Sequence, residues 1–158
     1  MISLTELINR YMTARQTNNP NELTCFFKSI EDVPLPTALA INKARAIQLS
    51  DGNEYSLGDA ERLLRTIIEI DPAAVPAYIE LGCLLDAVLD QSKEAIDVFD
   101  RGIEQAQKQL HELNFEKAKA QMGRKEYSDA LQTLEQYRSD EGRFQQLREE
   151  VEERLRSE

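Results

Sequence analysis

Three segments of the sequence repeat one helical pattern at a fixed spacing. Ala60, Ala95 and Ala130 lie 35 positions apart, and an acidic residue precedes each of them, as suits the first turn of a helix. A large apolar residue follows each alanine four positions later: Leu64, Phe99 and Leu134. This spacing predicts one apolar face on each helix. A fixed period of this length is typical of a solenoid, whose units bury their apolar faces by stacking on their neighbours.

The rest of the chain also favours helices. Ser3 to Glu6 has the pattern of a capping box, and Asn19-Pro20 offers an N-cap followed by proline at the first helical position. The prolines of "VPLP" at 33–36 end the second helix. No run alternates apolar and polar residues as a strand does. We therefore predict an all-α fold of about eight helices, with the repeated helices at 58–70, 92–106 and 128–138.

The chain of 158 residues is expected to form one folded unit. Its predicted parts are an N-terminal helical hairpin (1–36), three repeats (about 37–72, 73–107 and 108–138) and a C-terminal capping helix (139–158). The capping helix carries four apolar residues on one face: Phe144, Leu147, Val151 and Leu155. An alternative interpretation is that this terminal helix is a coiled-coil strand that forms a homodimer.

A glycine marks the predicted contact between the two helices of the second repeat. Gly82 lies inside a helix, where glycine costs about 1 kcal/mol relative to alanine. Together with Ala95 on the next helix, it would let the two backbones approach closely.

These residues resemble the tetratricopeptide repeat, a pair of antiparallel helices about 34 residues long. Residues 75–107 match best: Tyr78, Leu81, Gly82 and Leu85 are similar to the first-helix signature, and Ala95, Phe99 and Gly102 to the second. The first repeat has a longer loop. The third lacks the aromatic–leucine–glycine arrangement, and no proline separates its front helix from the helix before. The resemblance covers residues 37–138 and implies an α-solenoid with capping helices.

The resemblance also implies a function, because members of this family are mostly adaptors, chaperones and scaffolds. They bind peptides on a concave surface lined by the front helices. Carried over to this sequence, that surface would present eight residues: Arg45, Gln48, Ile79, Glu80, Cys83, Asp86, Asn114 and Ala118. Some members clamp a C-terminal carboxylate with Lys and Asn side chains. Glu80 and Asp86 in the central repeat argue against such a clamp.

Nothing in the sequence indicates catalysis, a cofactor or a metal site. His111 is the only histidine, and the two cysteines are far apart, so the closely spaced ligand pairs of a zinc site are missing. All six glycines are isolated, which excludes a glycine-rich phosphate loop. We therefore expect a protein that is not an enzyme. The distant Cys25 and Cys83 predict no disulfide, and Cys83 is expected to act as a small hydrophobic residue.

The charge of the chain limits its partners. The formal net charge is −10, which disfavours nucleic acid and anionic membranes. Residues 73–107 hold seven acidic and two basic residues. This surface is either a solvated outer face or a docking site for a basic partner. The N-terminus has no signal-peptide pattern, and no apolar stretch approaches 18 residues, so we expect a cytoplasmic protein.

Two functions fit these expectations. The first is a non-catalytic adaptor or scaffold that binds a basic peptide or protein segment in the concave face. The alternative is a dedicated chaperone or immunity-type inhibitor that masks one basic secreted protein.

Overall fold

The computed structural model describes residues 3–137 and 142–157, and their secondary structure is all helical. The eight helices in these ranges are α1 (Leu4–Gln16), α2 (Pro20–Lys28), α3 (Thr37–Leu49), α4 (Leu57–Ile70), α5 (Val75–Ala87), α6 (Ser92–Gly123), α7 (Tyr127–Gln136) and α8 (Gly142–Arg156). The prediction of an all-α fold is confirmed. None of these helices combines the length and the apolar character that crossing a lipid bilayer requires.

The helices begin where local chemistry satisfies their first backbone N–H groups. The Ser3 hydroxyl accepts a hydrogen bond from the backbone N–H of Glu6, and the Asn19 side chain caps α2 from the residue before Pro20. At α4, Ser56 and Asp59 form a complete capping box in which each side chain bonds to the other residue's backbone. Such caps each stabilise a helix by about 1 kcal/mol.

Helix α6 differs from the sequence prediction. A helix was expected at 92–106 with a new one following it, but α6 continues without a break for 32 residues. Between Ile103 and Met122 there is no glycine or proline, and most residues in that stretch are strong helix formers. The sequence of this stretch does not favour a turn, so the helix continues past residue 107, where the 35-residue period predicted a turn.

The chain divides into two compact units, Met1–Ile103 and Glu104–Glu158. In the first unit, α2 packs on α1, and α3, α4 and α5 pack on one another. Its core includes Ala60, Leu64, Ala95 and Val98, all buried. In the second unit the end of α6, α7 and α8 enclose a smaller core of six residues: Ala118, Ala130, Leu134, Phe144, Leu147 and Val151. Every one of the three repeated alanines is thus buried.

The contact between α5 and the start of α6 is built from two glycines and two aromatic rings. A Cβ atom on Gly82 would overlap the ring of Phe99, and a Cβ atom on Gly102 would lie 2.8 Å from the Cβ atom of Tyr78. Each helix thus offers a glycine to an aromatic residue of the other. The prediction of a close approach at Gly82 is correct, and its counterpart on α6 is Phe99.

The glycine contacts predict opposite effects for two alanine substitutions in the first unit. Gly102→Ala should lower the free energy of unfolding by about 1–3 kcal/mol, because the Cβ atom of Tyr78 cannot move without its backbone. Gly58→Ala in α4 should leave stability unchanged or raise it by up to about 1 kcal/mol, since its Cβ atom would meet only ordinary contacts at 3.7 Å. Urea unfolding followed by circular dichroism measures both. Equal midpoints for the two variants would contradict the packing described.

Candidate binding face

One surface of the first unit is formed by α1, α3 and α5, and we call it the α1–α3–α5 face. Helix α3 lies beside α5, and residues of α1, α2 and α3, among them Arg15 and Arg45, line a cleft of about 180 Å³. Arg45 is central to this face. Glu80 of α5 raises the pKa of Arg45, and Tyr11 of α1 and Cys83 of α5 add smaller contributions from either side.

An ion pair joins α3 to α5 at the centre of the face. Arg45 donates to Oε1 of Glu80 through Nε at 3.1 Å and also through its NH2 group. The two residues are 35 positions apart, which is the spacing of the three repeated alanines. The Glu80 side chain is only 13% exposed, whereas that of Arg45 is 54% exposed. Glu80 therefore depends on Arg45 for the compensation of its charge.

Both acidic residues predicted to attract a basic partner already have partners within the protein. Glu80 is paired with Arg45, and the Asp86 carboxylate accepts a hydrogen bond from the Ser92 hydroxyl at 2.6 Å. Asp86 thus links the end of α5 to the first residue of α6. Residues 73–107 are rich in acidic side chains, but Glu80 and Asp86 do not form an unpaired acidic patch.

Three other predicted residues lie on α3 and α5. Ile79 is 49% exposed, and Gln48 is half-buried, with an amide nitrogen that has no hydrogen-bond partner among the described residues. Cys83 is exposed, so it does not contribute to the buried side of α5. The buried positions of α5 include Tyr78, Leu81 and Leu85, and Cys83 falls between them on the opposite side of the helix.

The last two predicted residues lie in the core of the second unit. Ala118 is completely buried, and Asn114 is buried with its amide donating to the Leu110 carbonyl at 2.8 Å. These two positions were predicted by adding 35 to Ile79 and Cys83, which requires a separate front helix that starts near residue 108. Because α6 continues, its Ala118 side packs into the core that contains Ala130 and Leu134. These two side chains do not line an open surface.

The sequence did not assign a binding role to α1, yet α1 adds apolar surface to the face. Ile8 and Met12 are both exposed, and they share one side of the helix with Arg15. Leu49 at the end of α3 is exposed as well and lines the cleft beside Arg45. The sequence did contain a signal for this surface, because α1 has more apolar residues than its packing needs. Among its described residues, Leu7 and Tyr11 are the buried ones.

Comparisons with known proteins identify no family. Neither a scan against models of protein families nor a search of characterised proteins finds a match to this sequence. The tetratricopeptide resemblance therefore rests on the residues quoted for it and stays a prediction. Among the described residues, no group of three or more histidine, cysteine, aspartate or glutamate side chains is arranged to hold a metal ion.

The unequal burial of the central ion pair predicts unequal mutational costs. Arg45→Gln should lower the free energy of unfolding by about 1–3 kcal/mol, because it leaves the poorly exposed Glu80 carboxylate without its cation. Glu80→Gln should cost less than about 1 kcal/mol, since Arg45 can reach water. Both variants remove one charge and are measured by urea unfolding at neutral pH. A larger loss in Glu80→Gln would mean that the arginine is the dependent partner.

Proposed function

We propose that the protein is a non-catalytic binding module that takes a peptide or protein segment on the α1–α3–α5 face. The observation that supports this most directly is the set of exposed apolar side chains on that face. Ile8 and Met12 lie on α1, Leu49 on α3 and Ile79 on α5, around the Arg45–Glu80 pair. Apolar groups that surround a few fixed polar groups are typical of a recognition surface.

For the finer architecture, we propose that α3 with α4, and α5 with the start of α6, are hairpins of the tetratricopeptide type. The reciprocal contacts Gly82–Phe99 and Gly102–Tyr78 support this, as does the contact of α3 with α5 across one repeat length. In a stack of such hairpins the front helices lie side by side. That arrangement would give a bound segment the exposed sides of α1, α3 and α5 together.

The chemistry of the face favours an apolar segment over a basic one. Glu80 and Asp86 are both engaged within the protein, so a basic partner would have to compete for them. The proposed contacts are therefore apolar side chains of the partner against Ile79, Met12 and Leu49. Charge has a secondary role, in orienting the segment along the face.

The two exposed cysteines allow a direct test of this site. Cys83 lies on the face, whereas Cys25 is exposed on α2. A ligand selected from a random peptide library should slow the alkylation of Cys83 by N-ethylmaleimide and leave the rate at Cys25 unchanged. Mass spectrometry of the two cysteine peptides gives both rates in one sample. Protection of Cys25 alone, or failure to select any ligand, would contradict the proposal.

A matched pair of isoleucines tests the apolar contact itself. Ile79→Asp should weaken binding of the selected peptide at least about tenfold, because it places an unpaired carboxylate in the apolar contact. Ile96→Asp is the control, since Ile96 is 59% exposed on α6 and therefore outside the face. Isothermal titration calorimetry measures both affinities. Equal losses would show that net charge, and not the face, governs binding.

A further inference from the structure

A second cleft lies in the first unit between α3, α4 and the connection from α2 to α3. Its volume is about 300 Å³, at the lower end of the usual range for small-molecule sites. Its lining includes the apolar residues Val33, Leu63 and Ile67 and the charged residues Glu31, Lys43 and Asp71. The cleft shares no lining residue with the cleft beside Arg45, so the two are separate features.

The surface of the cleft is mainly apolar and partly open to water. Ala40 and Ile67 are buried in the core, while Val33 and Leu35 are only half-buried. Ile70 stands at the rim with 80% of its surface exposed. An apolar group that entered the cleft would remove this surface from water, which is favourable by about 25 cal/mol per Å².

Among the residues that the structure describes, Lys43 is the only cation that lines the cleft. Its ammonium group lies 4.4 Å from the centre of the Tyr55 ring, and burial lowers the pKa of Lys43. No carboxylate oxygen of a described residue lies within 4.0 Å of that ammonium. A partly desolvated cation without a counter-ion favours an anionic ligand.

The neighbouring carboxylates act on Lys43 only at longer range, and each has a closer partner of its own. Glu31 and Asp59 raise the pKa of Lys43, but burial lowers it by more. Glu31 is paired with Lys28 at 2.7 Å, and Lys28 itself lies 5.3 Å from the centre of the same Tyr55 ring. Asp59 is held by Ser56 and Arg62. Asp71, which also lines the cleft, accepts a hydrogen bond from the backbone N–H of Ala73 at 3.2 Å.

We propose that this cleft binds a small aliphatic carboxylate, with the carboxylate on the ammonium of Lys43 and the chain along Ile67 between Val33 and Leu63. The carboxylate of the ligand would form an ion pair with Lys43, and its aliphatic chain would cover the exposed apolar surface of the cleft. The negative net charge of the protein does not prevent this, because the Debye length is about 8 Å at physiological ionic strength. The potential at the cleft is therefore set by Lys43 and its neighbours.

Octanoate is the probe, and two-dimensional NMR of the uniformly ¹⁵N-labelled full chain is the measurement. Octanoate should shift the amide signals of residues 33–35, 40–43 and 63–70 in a saturable manner. Octan-1-ol has the same chain without the charge and should bind at least about tenfold more weakly. N-acetyl-leucine tests whether the carboxylate is instead that of a protein C-terminus. Tighter binding of N-acetyl-leucine, equal binding of octan-1-ol, or no saturable shift with octanoate would overturn the proposal.

The decisive variant is Lys43→Met, which keeps an apolar stem and removes the cation. It should reduce octanoate affinity roughly tenfold or more and leave octan-1-ol affinity unchanged. Lys93→Met on α6 is the matched control, because it changes net charge equally at an exposed position of the same unit. Retained octan-1-ol binding shows that Lys43→Met still folds with an intact cleft. If Lys43→Met bound octanoate as tightly as Lys93→Met does, Lys43 would not be part of the site.

Discussion

The first unit depends on one contact, the reciprocal packing of glycine against an aromatic ring at the crossing of α5 and α6. Tyr78 and Phe99 each lie against a backbone that carries no Cβ atom. The two contacts hold the helices at a fixed distance and rotation, since neither glycine can take a Cβ atom unless the ring or helix opposite shifts. This position of α5 in turn sets which of its residues are buried and which remain on the α1–α3–α5 face.

The ion pair between Arg45 and Glu80 joins two residues that are separated by the 35-residue period of the sequence. Arg45 and Glu80 are one period apart in the sequence and lie side by side on α3 and α5, so their opposite charges join these two helices. The same pairing removes Glu80 from the set of groups available to a partner. What is left on the face is apolar surface with an arginine whose charge is largely compensated. Under the proposed function, recognition by such a face would depend on shape and apolar contact more than on net charge.

The second cleft is lined by a lysine that forms no ion pair with a described residue. The chain as a whole is acidic, yet the ring of Tyr55 lies beneath two ammonium groups, and only one of them is paired with a carboxylate. Burial raises the pKa of Tyr55 to about 12, so the phenol is neutral there and adds no negative charge at neutral pH. Composition could not have located this cluster, because Lys28, Lys43 and Tyr55 come from three separate segments.

The sequence by itself determined the all-helical fold, the N-terminal caps and the burial of Ala60, Ala95 and Ala130. These features follow from periodicity and from side chains that act on their own backbone, so a single segment contains all the information. The uninterrupted helix formers between Ile103 and Met122 are also a local signal, for the length of α6. The sequence could not determine the exposure of Cys83, the burial of Ala118 or the engagement of Glu80. Each of these depends on which helix lies opposite and at what rotation. Only the tertiary structure decides that, because contacts between distant segments are selected by the packing of the whole unit and leave no local pattern in the chain.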